Sequence, residues 1–172
     1  MATVNLSDYQ PLNITNADEF SVGIVFSEWN SFVTHNLRDA ALDILKKEGV
    51  REEKISVFQV PGAFELSYAA MQLCKERRFD AVIAIGCVIR GETPHFDYVC
   101  SAVAQGIKDC NILTDVPTIF CVLTDDNEEQ SMARSGGDLG NKGVEAAVTA
   151  LQMIDFKKNL SKRNAGSIGF GA

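Results

Sequence analysis

His95 stands in the stretch GCVIRGETPHFDYVC, Gly86 to Cys100, and is one of only two histidines in the chain. Apolar residues there give way to glycine, threonine and proline before a helical pattern resumes, which places the imidazole in the first turn of a helix. From that position it can accept and return a proton near neutral pH. Ahead of it Gly91, Glu92 and Thr93 offer backbone N–H groups and a hydroxyl, with Pro94 at a first helical position, an arrangement suited to an anion. Thr93 is equally suited to capping the helix, and the two roles are compatible. Asp97 does not share the helix face of His95 and no third ligand is evident, so the pair does not read as a metal site.

Three further groups lie where apolar runs end. Trp29, the only tryptophan, falls in FSEWN, where an indole can stack on a planar heterocycle or simply cover the end of a core. In VPGAFEL, Pro61 and Gly62 force a turn, and Glu65 opens a helix, either for its electrostatic benefit or to recognise a polar ligand. Arg134 and Lys142 flank the glycine-rich bend of SMARSGGDLGNKG, two cations able to seize a phosphate, although Arg134 could equally bond the end of its own helix. The bend follows a helix and lacks a GK[ST] ending, so it is not a Walker loop.

These groups must be held by the elements between them. Ser21 to Phe26, Ile55 to Val60, Ala81 to Ile85 and Thr118 to Leu123 are aliphatic strand segments, and the intervening stretches carry helical periodicity. The pattern predicts a βαβ, parallel-sheet domain with helices on both faces. Helices are expected from about Asn30 to Gly49, then at Phe64 to Glu76, Pro94 to Cys110, Asn127 to Arg134 and Gly143 to Phe156. His35 falls off the apolar stripe of the first and reads as exposed. In a parallel sheet all strand carboxyl ends share one edge, so the segments after them converge on one crevice.

The 172 residues suit one domain, since domains run to about 100–200 residues. A formal net charge of -7 argues against a broad nucleic-acid surface, and no stretch has the length of a membrane span or a signal segment, so a cytoplasmic protein is expected. Cys74, Cys87, Cys100, Cys110 and Cys121 form no CxxC pair and read as reduced core residues. Residues 1–18 lack periodicity and read as a mobile or partner-dependent arm, 19–157 as the α/β domain and 158–172 as a flexible tail.

Taken together, FSEWN, VPGAFEL, GCVIRGETPHFDYV, PTIFCVLT and EEQSMARSGGDLGNKGVEAA, in this order between Val22 and Met153, resemble the lumazine synthase family. The resemblance implies a flavodoxin-like, three-layer αβα sandwich on a four-stranded parallel sheet. It also implies condensation of 5-amino-6-(D-ribitylamino)uracil with 3,4-dihydroxy-2-butanone 4-phosphate, with no metal or redox cofactor. By the same resemblance Trp29 stacks on the pyrimidine, Ala63, Phe64 and Glu65 hold the ribityl chain, and Cys87, Val88 and Ile89 contact the pyrimidine. Glu92, Thr93 and Arg134 take the phosphate, His95 transfers protons, Phe120 reaches a pyrimidine from a neighbouring subunit, and Lys142 lies near the shared site. Pentamers, twelve of them in a sixty-subunit shell, riboflavin synthase as an enclosed partner, and an arm pairing with a neighbour are further implications. The rivals are a flavin- or lumazine-binding module on the same fold and a protein whose shell is its function.

Overall fold

Every residue of β1 (Val22–Ser27) is buried, as is β3 (Ala81–Ile89) from Ala81 to Cys87, because these two strands are the inner pair of a sheet covered on both faces. The computed structural model describes residues 7–166, with side chains through Ser161. With β2 (Ile55–Val60) and β4 (Thr118–Asp125) the strands form one parallel sheet in the order β2-β1-β3-β4, in register Val22↔Ile55, Val22↔Ala81 and Val82↔Thr118. Helices α1 (Ser31–Lys47) and α5 (Lys142–Gly166) cover one face, and α2 (Leu66–Lys75) and α3 (His95–Thr114) the other. The layers follow from alternation along the strands: Val22, Ile24 and Phe26 pack with Leu37, Leu45, Ala147 and Leu151, whereas Val25 packs with Leu66, Leu73 and Ile107. The expected three-layer architecture is therefore present.

The element ends differ from the sequence reading in instructive ways. β3 runs on to Ile89 because Gly86 is a strand residue, not a break: a Cβ there would meet Leu66 Cδ1 at 2.8 Å, so the glycine lets α2 seat against the sheet. α2 begins at Leu66 rather than Phe64, since residues 61–65 are spent on the turn. α3 continues to Thr114 and stops at Asp115 in the left-handed region, and α5 continues to Gly166 rather than stopping at Phe156. Gly49, at φ 98°, ends α1 as expected, with Val50 N donating to Leu45 O at 3.0 Å. The short α4 (Glu128–Arg134) is capped by Asn127 Oδ1, which accepts from Gln130 N at 2.9 Å. It leads into a small antiparallel pair, β5 (Ser135–Gly137) and β6 (Gly140–Asn141), that the sequence reading did not foresee.

Residues 7–16 carry neither helix nor strand and lie along their own chain. Tyr9 Oη donates to Glu48 Oε1 at 2.8 Å, Leu12 N donates to Glu48 Oε2 at 3.1 Å, and Tyr9, Leu12 and Ile14 pack against the α1–α5 layer. The Glu48 carboxylate at the end of α1, together with the Ser7 hydroxyl that accepts from Asn141 N at 2.5 Å, thus holds a segment whose sequence has no periodicity. Residues 1–6 and 167–172, which complete the expected arm and tail, lie outside the described residues.

Within the α1–α5 layer the two helices cross with almost no space between their backbones. A Cβ on Gly143 would stand 1.9 Å from Leu37 O, a backbone atom that cannot swing aside. Gly143→Ala should therefore cost about 1–3 kcal/mol or more of overpacking, read as a fall of at least about 2 °C in the thermal unfolding midpoint by circular dichroism. An unchanged midpoint would show that the crossing relaxes freely.

Candidate active site

Ser27, Val60, Ile89 and Asp125 close the four strands on one edge of the sheet, and the loops beyond them are tied to one another. Glu28 N donates to Val60 O at 2.8 Å and Trp29 N to Pro61 O at 3.0 Å, joining the loop after β1 to the loop after β2. The Trp29 indole lies over Gly62, where a Cβ would meet the ring at 2.7 Å. Glu65 Oε2 accepts from Gly62 N at 3.0 Å and closes that turn. Trp29 is 66% exposed and Phe64 59% exposed, so the indole is not a cover for the core; its face is open to a planar ligand. Ala63, beside them, is buried.

Asn30 occupies the N-cap of α1 in the left-handed region but makes no side-chain capping bond, and its Nδ2 donates to Cys87 O at 2.9 Å. Val88 and Ile89, half-buried, follow on the same strand end. From Cys87 a hydrogen-bonded run continues inward: its Sγ donates to Ser131 Oγ at 3.4 Å, and Ser131 Oγ donates to Asp125 Oδ2 at 2.8 Å. Asp125 Oδ1 lies 3.7 Å from Arg134 Nε, and Arg134 Nη1 donates to Gln130 O at 2.8 Å. The bond to Gln130 is the helix-end role open to Arg134 from the sequence, and it leaves the outer guanidinium edge without a protein acceptor among the described residues. Burial, aided by the nearby Asp125 charge and opposed by the Ser131 hydrogen bond, pushes the Cys87 thiol up to about 11, so it remains protonated near neutral pH and is a donor rather than a nucleophile. The other cysteines are likewise free, and Cys74, Cys110 and Cys121 are buried.

The loop between β3 and α3 carries Glu92, Thr93 and His95, all exposed, with His95 the first residue of α3. Thr93 does not cap the helix: Pro94 occupies that position and no side-chain capping bond is made. The loop is held by Arg90, whose N donates to Asp125 O at 3.0 Å and whose guanidinium reaches Asp126 at 2.9 Å and Asp97 at 3.2 Å while covering the Phe96 ring. Asp97 is thus engaged by Arg90, and among the described residues no group of three or more His, Cys, Asp or Glu could hold a metal. His35, expected as exposed, is half-buried and meets the Phe26 ring edge-on at 5.6 Å.

Phe120 and Lys142 are elsewhere. Phe120 is 43% exposed on β4, paired in register with Ala84 well below the carboxyl edge, and lines with Lys142 and Glu145 a cavity of about 470 Å³ on the β4 side. Lys142 Nζ holds both Glu145 oxygens, at 2.8 and 2.7 Å, a partner three residues on that helical spacing could have revealed. A larger cavity of about 640 Å³, lined by Arg77, Asp80 and Lys157, contains none of the expected site residues. Within one chain, then, the edge gathers the Trp29–Gly62–Glu65 cluster and the Cys87–Arg134 run, while Phe120 and Lys142 line a cavity that none of those residues lines. Ser131, Asp125 and Arg90 were not singled out from the sequence, because Asp125 sits in an acidic string that reads as solvated.

The family model described as 6,7-dimethyl-8-ribityllumazine synthase matches residues 19–158. A protein of that name from Parabacteroides distasonis is 51% identical over 158 residues, covering 91% of this chain and 99% of the relative. One from Phocaeicola vulgatus is 49% identical, covering 94% and 98%, and one from Flavobacterium johnsoniae is 51% identical, covering 91% and 83%.

Proposed function

Because the chain belongs to the 6,7-dimethyl-8-ribityllumazine synthase family, we propose that the loops at its sheet edge form the site of that family's reaction. The protein is an enzyme, a transferase of riboflavin biosynthesis that condenses 5-amino-6-(D-ribitylamino)uracil with 3,4-dihydroxy-2-butanone 4-phosphate, releasing phosphate and water. Trp29 stacks on the pyrimidine, with Cys87, Val88 and Ile89 along its edge and Ala63, Phe64 and Glu65 at the ribityl chain. Arg134 takes the phosphate with Glu92, Thr93 and the α3 start, and Lys142 adds positive charge. The observation that supports this assignment is the hydrogen-bonded run from Asn30 through Cys87, Ser131 and Asp125 toward Arg134, which ties the pyrimidine side to the phosphate side.

The chemistry asks little of the protein beyond placement. The amine attacks the butanone carbonyl, a Schiff base forms with loss of one water, phosphate departs, and ring closure with loss of a second water completes the lumazine. Holding both reactants together replaces a bimolecular encounter, worth about 7–11 kcal/mol in well-oriented systems. His95, exposed at the head of α3, shuttles protons among these steps. Mixing the purified protein with both substrates and following product absorbance against the uncatalysed background tests the function. A rate equal to background with the pyrimidine still bound would favour the rival binding module.

Phe120 reaches a pyrimidine bound on a neighbouring copy, so the working unit is a homo-oligomer, a pentamer that assembles into a sixty-subunit shell able to enclose riboflavin synthase. Support comes from the exposed Val57 and Phe58 on edge strand β2 and the exposed Phe120 on edge strand β4, apolar surface at both sheet edges. Pairing of the arm with a neighbour's sheet edge would require residues 7–16 to give up the Glu48 contacts they make within their own chain. Free cysteines suit a reducing cytoplasm, and among the described residues no helix is long and apolar enough to cross a membrane. Sedimentation of the purified protein decides among chain, pentamer and shell.

A further inference from the structure

We propose that Asp125, fixed by Ser131, is the positioning residue that aims Arg134 at the phosphate of the butanone substrate; the proposal rests on the reading of Arg134 as the phosphate ligand. Asp125 is 7% exposed and Ser131 fully buried, so the carboxylate is withdrawn from water and must be compensated within the protein. Its Oδ2 is taken by the Ser131 hydroxyl, and that hydroxyl is itself oriented because its oxygen accepts from the protonated Cys87 thiol. The remaining oxygen, Oδ1, therefore faces Arg134 Nε in a fixed direction.

At 3.7 Å this contact is too long for a hydrogen bond and acts as a charge contact. It biases the guanidinium without consuming its donors. The Nη1 bond to Gln130 O supplies a second point of attachment. A planar, rigid group held on its Nε side and at Nη1 has its orientation set, and its outer donors stay available for a bidentate oxyanion. Asp125 thus acts through Arg134 and touches neither substrate. Gln130 and Arg90 are tied to the same corner, since Asp126 N donates to Gln130 Oε1 at 3.0 Å and Arg90 N donates to Asp125 O, so the aspartate sits in backbone that is itself restrained.

The test uses the assembled enzyme with Asp125→Asn, Arg134→Ala and the double variant, each substrate being varied in turn and thermal unfolding recorded alongside. Asparagine keeps an acceptor for Ser131 and removes the charge. The expected result is a rise of about tenfold in the KM for the butanone phosphate, a KM for the pyrimidine within about twofold of wild type, and an unchanged midpoint, as befits loss of one charged contact. The double variant should be no slower than Arg134→Ala alone, because a residue acting through another adds nothing once that other is gone. Ser131→Ala should shift the same KM in the same direction by less. Wild-type kinetics in Asp125→Asn, equal effects on both substrates with a lowered midpoint, or losses that multiply with Arg134→Ala would each overturn the proposal. An Arg134→Ala enzyme with normal use of the butanone phosphate would overturn the phosphate reading itself and remove this inference with it.

Discussion

Replacing Arg134 with alanine should lower kcat/KM for the butanone phosphate by about 100-fold or more while leaving the pyrimidine KM nearly unchanged. A guanidinium offers an oxyanion two parallel charged hydrogen bonds, and losing bonds to a charged group costs about 1.5–3 kcal/mol each, where each ~1.4 kcal/mol is a tenfold rate. The side chain is half-buried at the end of α4, with Nη1 on Gln130 O, so its removal takes away a placed cation and not a freely moving one. Arg134→Lys should recover only part of the loss, since an ammonium keeps the charge without the fork. Steady-state kinetics with each substrate varied in turn would check this. An alanine variant that loses both substrates equally would point to a collapsed site instead of a missing phosphate clamp.

His95→Ala should slow turnover by about 10- to 100-fold and leave both KM values close to wild type. General acid–base catalysis contributes about 100- to 10,000-fold in enzymes at large, and the low end is expected here for a structural reason. His95 is exposed at the head of α3, so water can take over proton transfer that a sealed site would forbid. Proximity of the two reactants survives the substitution. Single-turnover rates with both substrates bound would measure the chemical step directly, and a fall of several thousandfold would mean that the imidazole, not placement, carries the reaction.

Much of this was legible because the chemistry and the fold write in different alphabets. The aliphatic runs of β1 and β3 announce strands buried on both faces, and the observed boundaries of β2 match the sequence reading residue for residue. Gly86 misled because local sequence cannot distinguish a glycine that breaks a strand from one that makes room for Leu66. β2 reads as an aliphatic strand with no side assigned to its residues, and Val57 and Phe58 are exposed, since apolar residues on an edge strand carry the same pattern whether they face a core or an outside surface. Trp29, Glu65, His95 and Arg134 could be singled out because their residue types are rare or reactive at strand and helix ends. Asp125 and Ser131 could not: nothing in DDNEEQS tells the one carboxylate folded inward from its solvated neighbours. Burial of a polar group is a property of tertiary packing, and β4 had to end at Asp125, with α4 laid over it, before the aspartate met Ser131.

Trp29 follows β1, whereas Phe120 lies part-way along β4, two strands across and several residues short of the carboxyl edge. No single chain can close both rings on one pyrimidine. Under the proposed assembly each copy keeps the indole for its own substrate and lends the phenyl ring to the copy beside it. A lesion at Phe120 would then be silent in the molecule that carries it and felt next door, so in a cell making two versions of the chain the damaged one would spoil sites built on sound subunits.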